Sequence, residues 1–168
     1  MRIFLLVLMS GALLMAESAS GVKWTAPATW KTTPARPMRE VTYATPTAPG
    51  DKEAGEVAVF YFGPGQGGGV QANIDRWIGQ FPQKTGAPKT GKSTVAGMTV
   101  TTIDVSGTYG AAGGPMSQSK VDKPGFRLLG AIVEAPKGAV FFKFTGPSKT
   151  VAANEAAFQS MIKAITKE

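Results

Sequence analysis

The sequence predicts an α+β fold, a mainly antiparallel sheet with a mid-chain and a C-terminal helix packed on it. Three observations carry that reading. Apolar residues recur at helical spacing in two places, from Val70 to Phe81 and from Val151 to Ile165. The other regular segments alternate or are continuously apolar over strand-like lengths. Turn chemistry joins neighbouring strands into hairpins and leaves few crossovers.

The chain begins as an address. Arg2 gives a short positive start, and Ile3 to Met15 is Leu-rich and broken only by Ser10 and Gly11. That block is too short to span a bilayer comfortably, and small residues follow it. Residues 1–20 therefore read as a signal peptide cleaved after Ser20, with cleavage after Ser18 as an alternative. Residues 21–168 read as a single α+β domain, secreted or periplasmic, with no transmembrane segment in the mature chain. No Cys follows the apolar block, so a lipoprotein anchor has nothing to form on there.

From Gly21 to Pro49 the pattern is short extended pieces broken by proline, including Val22-Lys23-Trp24 and the alternating Arg39 to Ala44. Pro46 to Glu53 reads as a loop. Val57 to Phe62 is apolar on both faces, as a strand covered on both sides would be. The Gly-rich run Gly63 to Gly69 stops it, and Val70, Ile74, Trp77, Ile78 and Phe81 then form one helical stripe that Pro82 ends. Gln83 to Pro88 reads as a polar loop. Ser93 to Ser106 is extended, with a break at Ala96-Gly97 and a bulge expected near Thr101-Thr102, because Met98 and Val100 oppose Ile103 and Val105. Gly107 to Gly125 reads as a long mobile loop. Phe126 to Glu134 and Ala139 to Thr145 form a hairpin, with Val140, Phe142 and Phe144 inward and Phe141 and Lys143 on the other face. Pro147 suits the first turn of a closing helix whose stripe is Val151, Phe158, Met161, Ile162 and Ile165.

Two nucleotide-binding patterns are misleading. Gly86 to Ser93 matches the G-x-x-x-x-G-K-[ST] phosphate loop, but extended β-branched sequence follows it instead of the required helix. Gly63-x-Gly65-x-x-Gly68 matches a dinucleotide fingerprint, yet Asp104 lies 36 residues past Gly68, too far to be the ribose-binding acid. A modest residue of the idea survives. Backbone amides at Gly65, Gly67, Gly68 and Gly69, beside the helix start, are candidate contacts for an anionic group or a partner.

Composition excludes more chemistry than it supports. The 168 residues contain neither His nor Cys, which removes imidazole-relayed nucleophilic catalysis, Cys/His zinc sites and disulfides. No catalytic, metal or cofactor-binding residue is assigned, and no cofactor is expected. The carboxylates in or beside regular elements are Glu56, Asp75, Asp104 and Glu134. Removing Arg2 and Glu17 with the leader leaves the net charge at +7, so the charge belongs to the mature domain. Its basic residues are scattered, and nucleic acid is not an expected partner. Solubility through net charge is the simplest reading, and anionic envelope components are the accessible targets.

The segment Trp24-x-x-Pro27-x-x-Trp30, the strands after it, the mid-chain helix and the C-terminal helix after a hairpin together resemble the PsbP-like fold superfamily. That group includes an extrinsic photosystem protein and nuclear-import Ran-binding relatives. Ala58 to Gly63 with Ala72 to Trp77 is similar to an uncharacterised exported bacterial branch. The resemblance implies a compact antiparallel sheet flanked by helices, and binding or scaffolding rather than catalysis. It carries over no site residue. The functional expectation is an exported, non-enzymatic domain for an unknown protein or an anionic envelope component. The alternative is a small carboxylate-dependent hydrolase acting on a glycan.

Overall fold

Strands whose side chains are apolar on both faces need cover on both sides, and the chain supplies one helix to each. The structure is a computed structural model, and it describes residues 16–112 and 120–168. The apolar block of the expected leader and the centre of the expected Gly107–Gly125 loop lie outside the described residues.

A hairpin of β1 (Ala16–Ala19) and β2 (Val22–Thr25) opens the described chain, followed by β3 (Lys31–Thr32), β4 (Val41–Ala44) and β5 (Glu56–Tyr61). After helix α1 (Val70–Gly79) come β6 (Gln83–Lys84), β7 (Lys89–Val95), β8 (Met98–Ala112), β9 (Lys120–Ala135) and β10 (Gly138–Pro147). Helix α2 (Ser148–Lys163) and β11 (Thr166–Lys167) close it. The main sheet runs β3-β4-β5-β10-β9-β8-β6, with β7 also pairing to β8, and a small sheet runs β1-β2-β11. Every pairing is antiparallel. The fold class is α+β.

Register explains the two cores. Phe142 of β10 faces Val59 of β5 and Ala131 of β9, so these side chains share one face. That face buries Val140, Phe142 and Phe144 against Trp24 of β2 and Val151, Phe158, Met161 and Ile162 of α2. The other face buries Phe141, Leu128, Ile132, Ile103 and Val105 against Ile74, Trp77 and Phe81 of and beyond α1. Trp77 fits there because β9 has glycine beneath it. A Cβ on Gly130 would lie 2.4 Å from the indole and 2.7 Å from Ile103.

Three expectations need correction. No bulge sits at Thr101-Thr102: the β8–β9 register is unbroken from Val100 to Gly107 and shifts between Gly107 and Tyr109. Val100 and Ile103 are both buried because each face has its own core. The expected loop from Gly107 to Gly125 is largely strand, since β8 continues to Ala112 and β9 begins at Lys120. The polar loop after α1 contains β6, paired at Gln83–Thr108. Ala96-Gly97, by contrast, is a tight β7–β8 turn with both φ positive (48° and 74°). Separately, β1 lies within the last residues of the segment read as a leader. Ser20 and Gly21 form its turn with φ of 56° and 78°, and the buried Ser20 hydroxyl donates to the Gly138 carbonyl at 2.6 Å.

Candidate functional site: a groove between α2 and the sheet edge

Helix α2 does not reach the edge of the main sheet. Its Phe158 and Ile162 rest over Leu129 and Ala131 of β9, and past them the floor is built from Gly91, Ser93 and Thr102. These short side chains leave an open groove of about 330 Å³ between α2 and β7. Register places them on one face, since Gly91 pairs with Thr102 and Ser93 with Val100. Beyond the groove β7 is an edge strand: its inner side pairs with β8, and no strand pairs with its outer side among the described residues. Residues 89–94 are exposed, and Lys89 and Lys92 mark the edge with positive charge.

One end of the groove is polar. Arg127 of β9 donates from Nε and Nη2 to the two oxygens of Asp104 at 2.9 and 2.8 Å, and from Nη1 to Glu155 of α2 at 2.8 Å. The bidentate bond to Asp104, with the Glu155 bond added, holds the guanidinium above its ordinary pKa against the opposing effect of burial. Asp104 and Glu155 therefore flank a guanidinium that fills the space between them. Of the carboxylates noted in the sequence, only Asp104 reaches the groove. Glu56 is bound by Arg36 and Arg39 at 3.0 and 2.8 Å, Asp75 accepts from Gln71 on α1, and Glu134 is exposed on β9. Arg127 and Glu155 were missed by sequence reasoning, because their separation of 23 and 28 residues from their partners carries no local signal.

The other sequence candidates are placed elsewhere. Gly63, Gly65, Gly67 and Gly68 have φ of 99°, 67°, 90° and 79°, the freedom a sharp strand-to-helix reversal demands. A Cβ on Gly67 would meet Phe62 at 2.8 Å and Phe141 at 3.0 Å, so this loop lies on the α1 face, away from the groove. Asn73 Nδ2 donates to the carbonyls of Gly67 and Gly69 at 2.8 and 2.9 Å, which fixes the loop to the helix. Gly69 caps α1 without a side-chain hydrogen bond, and no acid occupies the first turn. In the phosphate-loop pattern, Lys89 to Ser93 lies in β7 against β8, and the next element is β8. Trp24, Trp30 and Trp77 are buried core residues. Tyr43 is pushed up to about 12 by burial, opposed by the hydrogen bond from Trp24. Among the described residues no group of three or more Asp or Glu is placed to hold a metal ion, and no helix is long and apolar enough to cross a membrane.

No family model and no curated protein sequence matches the chain. Solved structures do. Cyanobacterial PsbP (CyanoP) from Synechocystis superposes with a TM-score of 0.58 at 9% identity, covering 95% of this chain and 96% of that one. LpqN of Mycobacterium tuberculosis, described as involved in cell envelope biogenesis, gives 0.56 at 14% identity over 94% and 86% of the two chains. PA94 of Pseudomonas aeruginosa, a protein of unknown function, gives 0.53 at 12% identity over 92% and 96%. With these superpositions covering most of each chain, this protein has the PsbP-like fold.

Proposed function

We propose that this protein is an exported, non-enzymatic binding domain of the cell envelope, and that its groove receives an extended segment of a protein partner. The observation that carries the reading is the apolar groove lying directly beside the unpaired edge of β7. An extended segment added to that edge would satisfy the free backbone groups of β7 and set alternate side chains into the groove. Lys89 and Lys92 on the edge, with Lys163 on the groove wall, favour an acidic segment over a neutral one. The involvement of LpqN in envelope biogenesis points in the same direction. Export rests on the Arg2 and Leu-rich start, and the glycine loop at Gly65, Gly67, Gly68 and Gly69 remains a proposed second contact.

The hydrolase alternative needs two carboxylates facing across an open cleft with room for substrate. Asp104 and Glu155 instead share one arginine, which supports the binding reading. A photo-crosslinking side chain at Ser93 tests it. The wild-type background should give one dominant adduct with envelope protein, and filling the groove with Gly91→Trp should abolish it. Equal crosslinking from Gln71, on the exposed surface of α1, would remove the groove from consideration.

A further inference from the structure

On the opposite face, under α1, a smaller cavity of about 140 Å³ is walled by Phe60, Phe62 and Phe141 and carries Arg76, Gln80 and Lys143 as its polar groups. Its charge is one-sided. Lys143 projects from the middle of the sheet, and its ammonium, which has three donors, makes a single hydrogen bond among the described residues, of 3.2 Å to the Tyr109 hydroxyl. Arg76 donates to Asn73 Oδ1, a neutral acceptor. Arg39, whose guanidinium lies 5.5 Å from the Phe60 ring centroid, is bound to Glu56, and Glu56 also serves Arg36. Thus Lys143 and Arg76 line the cavity with no carboxylate of their own among the described residues.

A second, independent feature narrows the ligand. The side-chain oxygen of Gln80 is buried and accepts no hydrogen bond. A buried acceptor without a donor is unfavourable, so a ligand that brings a donor to it is favoured. The cavity therefore offers two cations for ionised oxygens, and a turn of the Gln80 amide would bring its oxygen in as an acceptor for a hydroxyl. We infer that it is a binding site for inorganic phosphate, its ionised oxygens on Lys143 and Arg76 and its P–OH donating to Gln80. Phosphate carries both kinds of oxygen at neutral pH, whereas sulfate, of the same shape, has no proton to donate. This site is separate from the phosphate-loop pattern, whose Lys92 is exposed in β7.

Charge on Lys143 is essential to that geometry, and its surroundings make the charge easy to lose. Burial, then Arg39 and more weakly Arg76, lower its pKa to about 8, against the opposing pull of Glu56; Tyr109 is the titratable group that touches it from β8.

Titration calorimetry of the full chain with sodium phosphate and, separately, sodium sulfate tests the assignment. Phosphate should bind saturably and at least about tenfold more tightly than sulfate, and its affinity should fall as pH is raised past about 8. Lys143→Met should weaken phosphate by at least about tenfold and flatten that pH dependence, while Gln80→Leu should erase the preference over sulfate. Lys31→Gln, exposed on β3, should bind as the wild type does. Arg76→Gln, on an exposed helix position, gives the same loss should Lys143→Met fail to fold. Equal affinity for the two anions, undiminished phosphate binding in both cation variants, or no saturable binding overturns the inference.

Discussion

At the scale of residues, Lys143 is the side chain whose environment most opposes its own charge. It stands in β10 between Phe142 and Phe144, pointing to the face where Phe141 is buried. The sequence already separates these faces, since alternation puts Phe141 and Lys143 together. What the sequence leaves unseen is the company: Tyr109 is 34 residues away, and Arg39 and Arg76 come from other elements. A lysine lowered to about 8 in the fold, from its ordinary value of 10.5, is more often protonated in the unfolded chain between those values. Stability contributed through Lys143 is therefore lowest below pH 8 and rises as pH climbs through that window. The raised phenols Tyr43 and Tyr109 act in the opposite sense, but only above about pH 10. Thermal melts at pH 7 and pH 9.5 should show a gain for wild type relative to Lys143→Met. An identical pH response in both proteins would mean that Lys143 titrates as it does in water.

At the scale of elements, α1 tests whether a stripe read from spacing is a packing surface. Trp77 is 4% exposed and lies on the glycine of β9, whereas Gln71 faces solvent and meets only Asp75. Trp77→Ala should cost about 3–5 kcal/mol through lost burial and a cavity. Gln71→Ala should cost less than about 0.5 kcal/mol, and urea melts of the two variants check both figures. The N-terminal hairpin is the element that the expected cleavage would cut. Cleavage after Ser20 would remove β1, its pairing along β2, and the Ser20 bond to β10's first residue. A chain starting at Gly21 should be less stable than one starting at Ala16 by about 1–3 kcal/mol, given the two Ser20 hydrogen bonds, to Gly138 and from Lys137, and a lost strand pairing. Urea melts of the two proteins decide it, and the N-terminal mass of the exported form then shows which of them the cell makes. Helices and the β9–β10 hairpin were legible because burial imposes a period on their side chains. The outer halves of β8 and β9 were not, because Gly, Ser and Pro there resemble a loop, while backbone pairing and the Tyr109–Phe126 stack sustain the strands. The two-residue strands β6 and β11 are too short to have any period.

At the scale of the whole molecule, the question is what fixes α2 on the sheet and so shapes the groove. Asp104 was legible as a carboxylate on a strand, and the stripe of α2 as a buried face. The groove was not, since it arises from three short side chains, Gly91, Ser93 and Thr102, that meet only once β7 pairs with β8. Besides the buried Thr150 and Asn154, which are hydrogen-bonded to Ala48, Asp51, Trp30 and Pro46, two contributions hold the helix: Phe158, Met161 and Ile162 in the core, and Glu155 on Arg127 at the groove's polar end. The apolar contribution is the larger, because each buried side chain is worth about 1.5–3 kcal/mol and an exposed ion pair about 1 kcal/mol or less. Arg127 is only 17% exposed, however, and its removal leaves two carboxylates that it had kept apart. Arg127→Gln should therefore cost about 1–3 kcal/mol, less than the loss for a fully buried pair because Asp104 and Glu155 keep about a third of their exposure. Glu155→Gln alone should cost under about 1 kcal/mol. Combining Arg127→Gln with Asp104→Asn and Glu155→Gln should recover much of the loss, since no charge is then left unpaired. Denaturant melts of this series measure each step. A loss below about 0.5 kcal/mol for Arg127→Gln would mean that the ion pairs only decorate a helix held by its apolar stripe, leaving the arginine free to turn toward an acidic partner.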